Sequence, residues 1–358
     1  MTLVFPRHKR INISESCLYD DARCTSVDTQ YQKRIAKFPE DVKKIVARRR
    51  QQIAAFMKNA TKKSYEGMQE ELKSAPDNPK PLLERQVELR EPWPSELSLD
   101  AVWISTPLRA KRFIVTGRPE REARASFWFM CIQERVENVV TLGAFPDYTY
   151  VPTEDDIKEM VFEACNMRIT VKLESEQYVK TRDYKKAREL NIQRLLVRQR
   201  RIVLKGPLGG DEHRLTHYHT GQWDASLPIP YGDVTLLKVL SLIRASEGPI
   251  LIQAETCEST GFLILLEVVM ERLMNGLEIG CLDQYLVELR KQRPSLLKNE
   301  HEYLSAQMIL TEYFGRLYLL TSEENSALFE FSKPYRLADR LDPLLRALQA
   351  NPVTSVFD

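Results

Sequence analysis

The stretch "ILIQAETCESTGFLILLEVVMERL", from Ile250 to Leu273, constrains the fold of this chain more than any other. Its spacing predicts a strand ending at about Gln253, a short polar loop, and a buried helix starting near Gly261. The chain has 358 residues, enough for one large domain or two smaller ones. A buried strand–loop–helix unit therefore has ample apolar sequence around it to form a core.

The segments before and after this stretch predict an α+β fold. Eight segments rich in β-branched and aromatic residues are predicted as strands: "AVWIST", "RFIVTG", "VENVVTLGAF", "RITVKL", "IQRLLV", "RIVLKG", "LTHYHT" and "GPILIQ". Helical spacing dominates from Val234 to Tyr313, and a further helical segment covers Pro39 to Leu72. Many strands followed by packed helices imply a mixed, highly twisted sheet flanked by helices.

The predicted loop allows two interpretations. Free amides at the start of the helix, together with the helix dipole, suit an oxyanion, and a cysteine of low pKa there would be a good nucleophile. Alternatively, the loop is a plain strand–helix turn with Ser259 or Thr260 as the N-cap. The loop holds Glu255 and Glu258 but neither arginine nor lysine, which opposes the binding of an anion.

This stretch resembles the signature loop of the tyrosine-specific protein-tyrosine phosphatases, whose motif is H-C-x5-R-[S/T]-G. Four further blocks resemble the same family in order and spacing: "AVWISTPLRAKRFIVTGRPE", "SFWFMCIQERVENVVTL", "LTHYHTGQWDASLPIP" and "YLVELRKQRPSLLKNEHEYLSAQMILTEYF". The resemblance covers roughly residues 50 to 316. It implies a protein-tyrosine-phosphatase-like fold with helical N- and C-terminal extensions.

We therefore predict three parts. Residues 1–48 form a basic, polar N-terminal extension, residues 49–316 form the phosphatase-like domain, and residues 317–358 form a C-terminal extension with an amphipathic helix. The basic residues near the N-terminus fit a solvated helical face better than a nucleic-acid patch.

The same resemblance indicates that the catalytic residues are lost. Gln253 stands at the family's histidine, Ala254 at its cysteine and Ser259 at its arginine, and the loop is one residue short. Alanine has no atom that can attack phosphorus, and a hydroxyl cannot replace the forked charge of a guanidinium. The degenerate positions are Gln253, Ala254, Glu255, Thr256, Cys257, Glu258, Ser259, Thr260 and Gly261, of which Thr260 and Gly261 keep the family's residues.

Other positions that the resemblance identifies have also changed. The family's W-P-D acid loop corresponds to Trp223-Asp224-Ala225, where Asp224 fills either the proline or the aspartate position, or is a turn residue. The water-positioning glutamine corresponds to Lys298, and the recognition tyrosine to Gln86. Cys257 could substitute as the nucleophile, but a small buried thiol is the preferred interpretation.

These losses predict an inactive domain that acts as a protein-interaction, scaffold or regulatory module. One alternative is a module that still captures phosphotyrosine or another anion through backbone amides and Lys298. The other is a residual phosphatase that works through Cys257. We also expect Glu255 or Glu258 to fold inward and occupy the amides where phosphate would sit.

Composition excludes several classes of function. A formal net charge of +2 implies no general attraction to nucleic acid or to anionic membranes. The six dispersed cysteines indicate reduced thiols, and the N-terminus lacks the apolar core of a signal peptide, so we expect a soluble, intracellular and cytoplasmic protein. No cofactor is expected.

Two clusters of polar residues and the chain ends remain. His213, His217 and His219 could suggest a metal, but structural histidines are preferred and no metal is expected. The arginines of "RLLVRQRRIVLKG" are expected on the exposed face of a strand hairpin, with docking of an acidic partner as the alternative. We expect the partner to be a protein, bound through the N-terminal extension or the helix around Arg336–Leu348.

Overall fold

The computed structural model describes residues 40–63, 65–77, 79, 86–90, 99–143, 150–164, 167–181, 184–189, 196–206, 212–220 and 235–317. Within these ranges the helices are α1 Glu40–Ala60, α2 Tyr65–Ser74, α3 Arg124–Gln133, α4 Tyr184–Glu189, α5 Thr235–Ile243, α6 Gly261–Met274, α7 Leu282–Gln292 and α8 Glu300–Leu317. The strands are β1 Ala101–Ile104, β2 Phe113–Thr116, β3 Asn138–Leu142, β4 Glu159–Ala164, β5 Met167–Tyr178, β6 Val197–Lys205, β7 His213–Thr220 and β8 Ile250–Ala254.

All eight strands form one mixed sheet in the order β1-β2-β8-β3-β7-β6-β5-β4. Strand β8 is parallel to both of its neighbours, β2 and β3, and β3 is parallel to β7. The remaining pairs are antiparallel. The predicted α+β class with a mixed sheet is therefore confirmed.

The centre of the sheet is covered on both faces. Along β8, Ile250 and Ile252 belong to the core cluster that α5, α6, α7 and α8 complete, whereas Leu251 belongs to the cluster that contains α3. This alternation follows from the two-residue period of a strand. It explains why the sequence of β8 is almost continuously apolar, as is typical of a strand buried on both sides.

The first two helices pack onto the same core. Ile53, Phe56 and Met57 of α1 lie in the cluster that contains α6 and α8. The rings of Phe56 and Phe314 meet edge to face, with their centroids 5.8 Å apart. The helical segment predicted from Pro39 to Leu72 is confirmed, although the structure divides it into α1 and α2.

The strand hairpin predicted for "RLLVRQRRIVLKG" is wrong. Val197 to Lys205 form the single strand β6, which is paired with β5 on one side and β7 on the other. Arg200 points inward, is 2% exposed, and forms an ion pair with Glu176 at 3.1 Å. An arginine is tolerated there because a carboxylate compensates its buried charge. Arg198 is half-buried, Arg201 is exposed, and Arg194 lies outside the described residues.

Among the described helices, none is long and apolar enough to cross a membrane.

Candidate functional site

The signature-like loop lies at the carboxyl end of β8, between the ends of two parallel neighbours. Gln253 pairs with Thr116 of β2 and Thr141 of β3, and Ala254 pairs with Leu142. A single 3₁₀ turn, Cys257–Thr260, then leads directly into α6. The carboxyl ends of parallel strands are the usual place for a binding site in sheets with helices on both faces.

Gln253 is a structural anchor beneath this loop. It is 1% exposed, and its amide nitrogen donates a hydrogen bond to the Tyr150 hydroxyl. Tyr150 is itself buried, and its carbonyl accepts a hydrogen bond from the Trp128 indole at 3.1 Å. The residue at the family's histidine position is thus held inside the domain by hydrogen bonding to a buried ring.

Ala254 ends β8 and is 2% exposed. Its methyl group lies where the resemblance places the nucleophilic sulfur, at the last residue of the central strand. A methyl group carries neither a lone pair nor a proton that can take part in phosphoryl transfer. The position therefore contributes packing alone.

Cys257 carries the one sulfur atom of the loop, and its surroundings disfavour the thiolate form. Burial raises the pKa of its thiol to about 11, although Arg293 opposes this effect. Arg293 is also ion-paired with Asp100, at 2.6 Å, so its charge is shared. With this pKa, about one thiol in ten thousand is ionised at pH 7, because each pH unit below the pKa costs a factor of ten.

The start of α6 packs tightly against Leu296 and Leu297. The Leu297 amide donates a hydrogen bond to the Glu258 carbonyl at 2.9 Å. A Cβ atom at Gly261 would lie 2.8 Å from the Leu297 nitrogen, so only glycine fits there. Leu297 itself has a φ of 53°, which is costly for a residue with a side chain.

Arg290 of α7 fixes this segment from behind. Its guanidinium, which is fully buried, donates to the carbonyls of Leu296 and Leu297 at 3.0 Å each, and to the Ala75 carbonyl at 2.7 Å. Asp77 lies 3.2 Å away as its acidic partner. Three backbone acceptors from two distant parts of the chain therefore depend on one side chain.

Glu302, in the first turn of α8, is the acidic group that the sequence interpretation missed. It is 2% exposed, and neither carboxyl oxygen has a hydrogen-bond partner of good geometry within the described residues. Burial raises its pKa to about 7; the Ser259 hydroxyl opposes this shift and the charge of Glu258 adds to it. The sequence signal was a glutamate on the apolar face of a helix, among Tyr303 and Leu304.

The expectation that Glu255 or Glu258 occupies the loop amides is wrong. Both residues are exposed, since water solvates their charges better than the buried interior does. Thr260, one of the two N-cap candidates, does occupy the N-cap position of α6, but its hydroxyl donates to the Cys257 carbonyl at 2.6 Å and makes no capping hydrogen bond. The 3₁₀ turn Cys257–Thr260 therefore runs into α6 without a side-chain cap.

The remaining predicted positions are mostly exposed. Lys298 is exposed, and Gln86 is exposed and forms an isolated bridge to Val102. Thr256 is exposed, and its hydroxyl lies 3.4 Å from that of the half-buried Ser259. Trp223 and Asp224 lie outside the described residues.

The three histidines have protein partners. A ring nitrogen of His213 lies 2.7 Å from the Val136 carbonyl, one of His217 lies 2.8 Å from the Thr141 hydroxyl, and one of His219 lies 3.0 Å from the Gly143 carbonyl. Burial lowers the pKa of His217 well below its usual value and that of His219 to about 4. These contacts account for the histidines as structural residues of β7.

One group of described residues brings together three side chains that can bind metals: Glu71, Cys281 and Asp283. Glu71 already pairs with Lys63 and accepts hydrogen bonds from the Tyr303 hydroxyl, at 3.2 Å, and the Gln307 amide, at 3.1 Å. These contacts explain the position of Glu71 without an ion.

Comparison with known proteins identifies the family. The sequence model described as protein-tyrosine phosphatase matches residues 73–312, more than half of the chain. The chain belongs to the protein-tyrosine phosphatase family. No curated protein matches it.

Three solved structures of protein tyrosine phosphatases are similar to this chain. The catalytic domain of human protein tyrosine phosphatase non-receptor type 18 has 14% identity and a TM-score of 0.50, covering 60% of this chain and 74% of that one. A second structure, described as "Structural basis of PTPN18 fingerprint on distinct HER2 tyrosine phosphorylation sites", has 14% identity and a TM-score of 0.49. The match covers 60% of this chain and 74% of that one. A third structure, described as "PTPN18 in complex with HER2-pY1248 phosphor-peptides", has 14% sequence identity and a TM-score of 0.48, and the match covers 60% of this chain and 76% of that one. The first likeness confirms the predicted phosphatase fold.

The buried thiols of this phosphatase-family domain should react slowly. With iodoacetamide at pH 7.5, we expect Cys281, which is exposed, to be alkylated at least about tenfold faster than Cys257, because alkylation requires an accessible thiolate. Peptide mass spectrometry over time measures both rates. Cys131, buried and with its pKa raised by burial, is the matched control and should react as slowly as Cys257. Rapid modification of Cys257 alone would contradict this assignment.

Proposed function

We propose that this protein-tyrosine-phosphatase-like domain is catalytically inactive and acts inside the cell as a protein-interaction module, either a scaffold or a regulator. The observation that carries the proposal is Ala254 at the end of β8, in the nucleophile's place. Two further observations support it. Cys257, the one sulfur in the loop, is buried with a raised pKa, and the loop has no basic residue.

The electrostatics around the loop also disfavour a phosphate dianion. Glu258 is exposed on the turn, and its charge adds to the rise in the pKa of the buried Glu302 carboxyl. Enzymes stabilise developing charge with preorganised donors, and losing one such donor costs about 3–4 kcal/mol of barrier. Here the resemblance places a hydroxyl at the arginine position, and Arg293, whose charge acts on Cys257 and Glu258, is ion-paired with Asp100. The described geometry offers the transition state little stabilisation.

Hydrolysis of p-nitrophenyl phosphate tests the proposal directly. We expect no vanadate-sensitive rate above that of buffer, and no change in Cys257→Ser, because neither Ala254 nor Cys257 supplies an attacking thiolate. Cys131→Ser is the matched control, since it removes a buried thiol remote from the loop. Vanadate-sensitive turnover that Cys257→Ser abolishes and Cys131→Ser retains would overturn the proposal.

Capture of phosphotyrosine without turnover is the second candidate. The observation that favours it is Lys298, exposed and adjacent to Leu297, whose amide bonds to the loop. The surrounding glutamates oppose it, so in calorimetry with a phosphotyrosine peptide we expect no binding at up to about 1 mM. Binding in that range that Lys298→Glu removes, and that the unphosphorylated peptide lacks, would establish this candidate instead.

The partner is proposed to be one or more proteins. The N-terminal extension and the helix predicted around Arg336–Leu348 remain the proposed binding surfaces. Residues 1–39 and that helix lie outside the described residues, whereas residues 40–48 form the start of α1. Affinity capture from native extract, with the full chain compared with a chain lacking both ends, tests this assignment. Retention of the same partners by the shortened chain would place the interaction on the domain itself.

A further inference from the structure

Strand β4 forms one edge of the eight-stranded sheet. Among the described residues it pairs with β5 alone, in an antiparallel register that sets Glu159 opposite Lys172. At the next position of the same register, the Leu173 amide donates a hydrogen bond to the Lys158 carbonyl at 2.8 Å. An edge strand presents a row of N–H and C=O groups on its outer side, and an extended segment of another chain can pair with them.

The register decides which backbone groups of β4 face outward. In an antiparallel pair, residues that exchange hydrogen bonds with the neighbouring strand alternate with residues that do not. Lys158 bonds to Leu173, so the even-numbered positions of β4 are the bonded ones. The N–H and C=O groups of Glu159, Val161 and Glu163 therefore point away from β5. An incoming strand would meet three alternate pairing positions.

The side chains of these three residues share one exposed face. Val161 is 39% exposed, and the exposed Glu159 and Glu163 flank it at two-residue spacing. Met160 and Phe162 point to the opposite face and pack against the core cluster that contains α3. The outer edge of β4 thus presents an acidic, an apolar and an acidic side chain beside its outward backbone groups.

The nearest cations approach the two glutamates from the inner side. Lys172 lies 4.0 Å from Glu159, and both side chains are more than half exposed. Arg168 is exposed and stands opposite Glu163 in the register. Such exposed pairs contribute little free energy. Because both cations belong to β5, a strand added on the outer side would meet the carboxylates from the other direction.

The charge of β4 opposes a second copy of this strand as the partner. Two copies that overlap fully, paired antiparallel about Val161, would set Glu159 of each copy opposite Glu163 of the other. Like charges directly opposite each other destabilise a strand pair, whereas opposite charges stabilise it. The edge therefore disfavours self-association and favours a strand that is basic at the two facing positions.

We propose that the outer edge of β4 binds an extended segment of a partner protein by strand addition. In this segment, lysine or arginine stands at two positions four residues apart, facing Glu159 and Glu163, with an apolar residue midway that faces Val161. The inference rests on the proposed function, because it gives the interaction module a binding surface besides the two chain ends. This surface lies about 24 Å along the sheet from β8, since five strand spacings of about 4.8 Å separate the two strands.

Calorimetry of the full chain with short peptides tests the proposal. The probe is acetyl-Thr-Lys-Thr-Val-Thr-Lys-Thr-amide, and in the matched peptide glutamate replaces both lysines. We expect the lysine peptide to bind with a dissociation constant below about 1 mM, and the glutamate peptide to bind at least about tenfold more weakly. Absence of binding by the lysine peptide at up to about 1 mM, or equal binding of the two peptides, would overturn the proposal.

N-methylated peptides test the pairing of the backbones. The valine amide of the probe would face β4, so its N-methylation should weaken binding at least about tenfold. The amide of the threonine before it would face away, and N-methylation there should change the affinity less than about threefold. Equal effects at the two positions would exclude strand addition.

Variants locate the surface on β4. Glu159→Lys combined with Glu163→Lys should reverse the preference, so that the glutamate peptide binds at least about tenfold more tightly than the lysine peptide. Val161→Pro removes an outward N–H, which an edge strand tolerates, and should weaken the lysine peptide at least about tenfold. Val161→Thr keeps this amide and is the matched control. An unchanged preference in the double variant would disprove the assignment.

Sedimentation equilibrium separates this surface from self-association. We expect the parent and Val161→Pro to have the same apparent mass, and a dimer of the parent that Val161→Pro abolishes would place a second copy on β4 and overturn the proposal. The outcome is distinguishable from that of the proposed function. Peptides that fail to bind, with no hydrolysis of p-nitrophenyl phosphate, would remove this inference alone, whereas vanadate-sensitive turnover would remove the proposed inactivity.

Discussion

Replacing Glu302 with glutamine should stabilise the domain by about 3 kcal/mol at pH 8 and by less than about 1 kcal/mol at pH 5. The cause is burial, which raises the pKa of this carboxyl from 4.5 to about 7. Ionising it inside the folded domain therefore costs more than ionising it in the unfolded chain. Glutamine has nearly the same shape and removes this cost.

The sign of the pH dependence follows from the direction of the shift. A carboxyl with a raised pKa contributes its full stability below pH 4.5, and this contribution is lost as the pH rises through about 7. Urea unfolding of the parent and of Glu302→Gln at pH 5 and pH 8 measures the difference. Other carboxyls, such as Glu137 and Glu176, have lowered pKa values and change the stability in the opposite direction. Their contributions are the same in the parent and in Glu302→Gln, so they cancel in the difference between the two proteins.

A control separates the burial of Glu302 from the general acidity of the loop. Glu255→Gln removes an exposed charge of the same loop and should leave the pH dependence like that of the parent. An equal effect of Glu302→Gln at both pH values, or a loss of stability at pH 8, would show that the carboxyl is paired in the folded protein.

Replacing Arg290 with methionine should destabilise the domain by about 4 kcal/mol. Methionine is of comparable length but donates no hydrogen bond, so the carbonyls of Ala75, Leu296 and Leu297 would lose their buried donor. Each unsatisfied buried group costs about 1–3 kcal/mol. Because these carbonyls flank the segment that holds Glu258, the loop should also loosen. Urea unfolding measures the first effect, and amide hydrogen exchange at Leu297 measures the second.

Arg272 provides the matched control for Arg290. Its guanidinium also donates to a backbone carbonyl, that of Glu278, at 2.8 and 3.0 Å, but in an exposed setting. Arg272→Met should therefore cost less than about 1 kcal/mol, since water replaces the lost donor. Similar losses in both variants would show that burial is not what makes Arg290 important.

Much of the fold followed from local sequence pattern, because strand and helix periods are local properties. Strands β1 to β3, β5, β7 and β8 and helices α5 to α8 lie where the pattern placed them. Strand β4 was missed because "EMVFEA" lies at the sheet edge and carries two glutamates among its six residues. The hairpin at β6 was wrong because Arg200 looked like a surface residue, and its partner Glu176 is distant in sequence.

The site was predictable only where the resemblance supplied the register. Gln253, Ala254 and Ser259 were found because the signature motif is contiguous, and β8 and α6 flank it as expected. Glu302, Arg290 and Arg293 were not found because their roles depend on tertiary contacts. Arg290, for example, contacts Ala75, which lies 215 positions away. No local period indicates such a contact.

Helix α1 has a consequence for how the protein can be divided. It runs from Glu40 to Ala60 without interruption, ahead of the segment 73–312 that the family model matches, yet Ile53, Phe56 and Met57 are buried against the domain. Proteolytic removal of this helix would leave an uncovered apolar surface on α8 around Phe314. We therefore expect the cooperative unfolding unit to be larger than the inherited family segment and to include the part of α1 that carries these three residues.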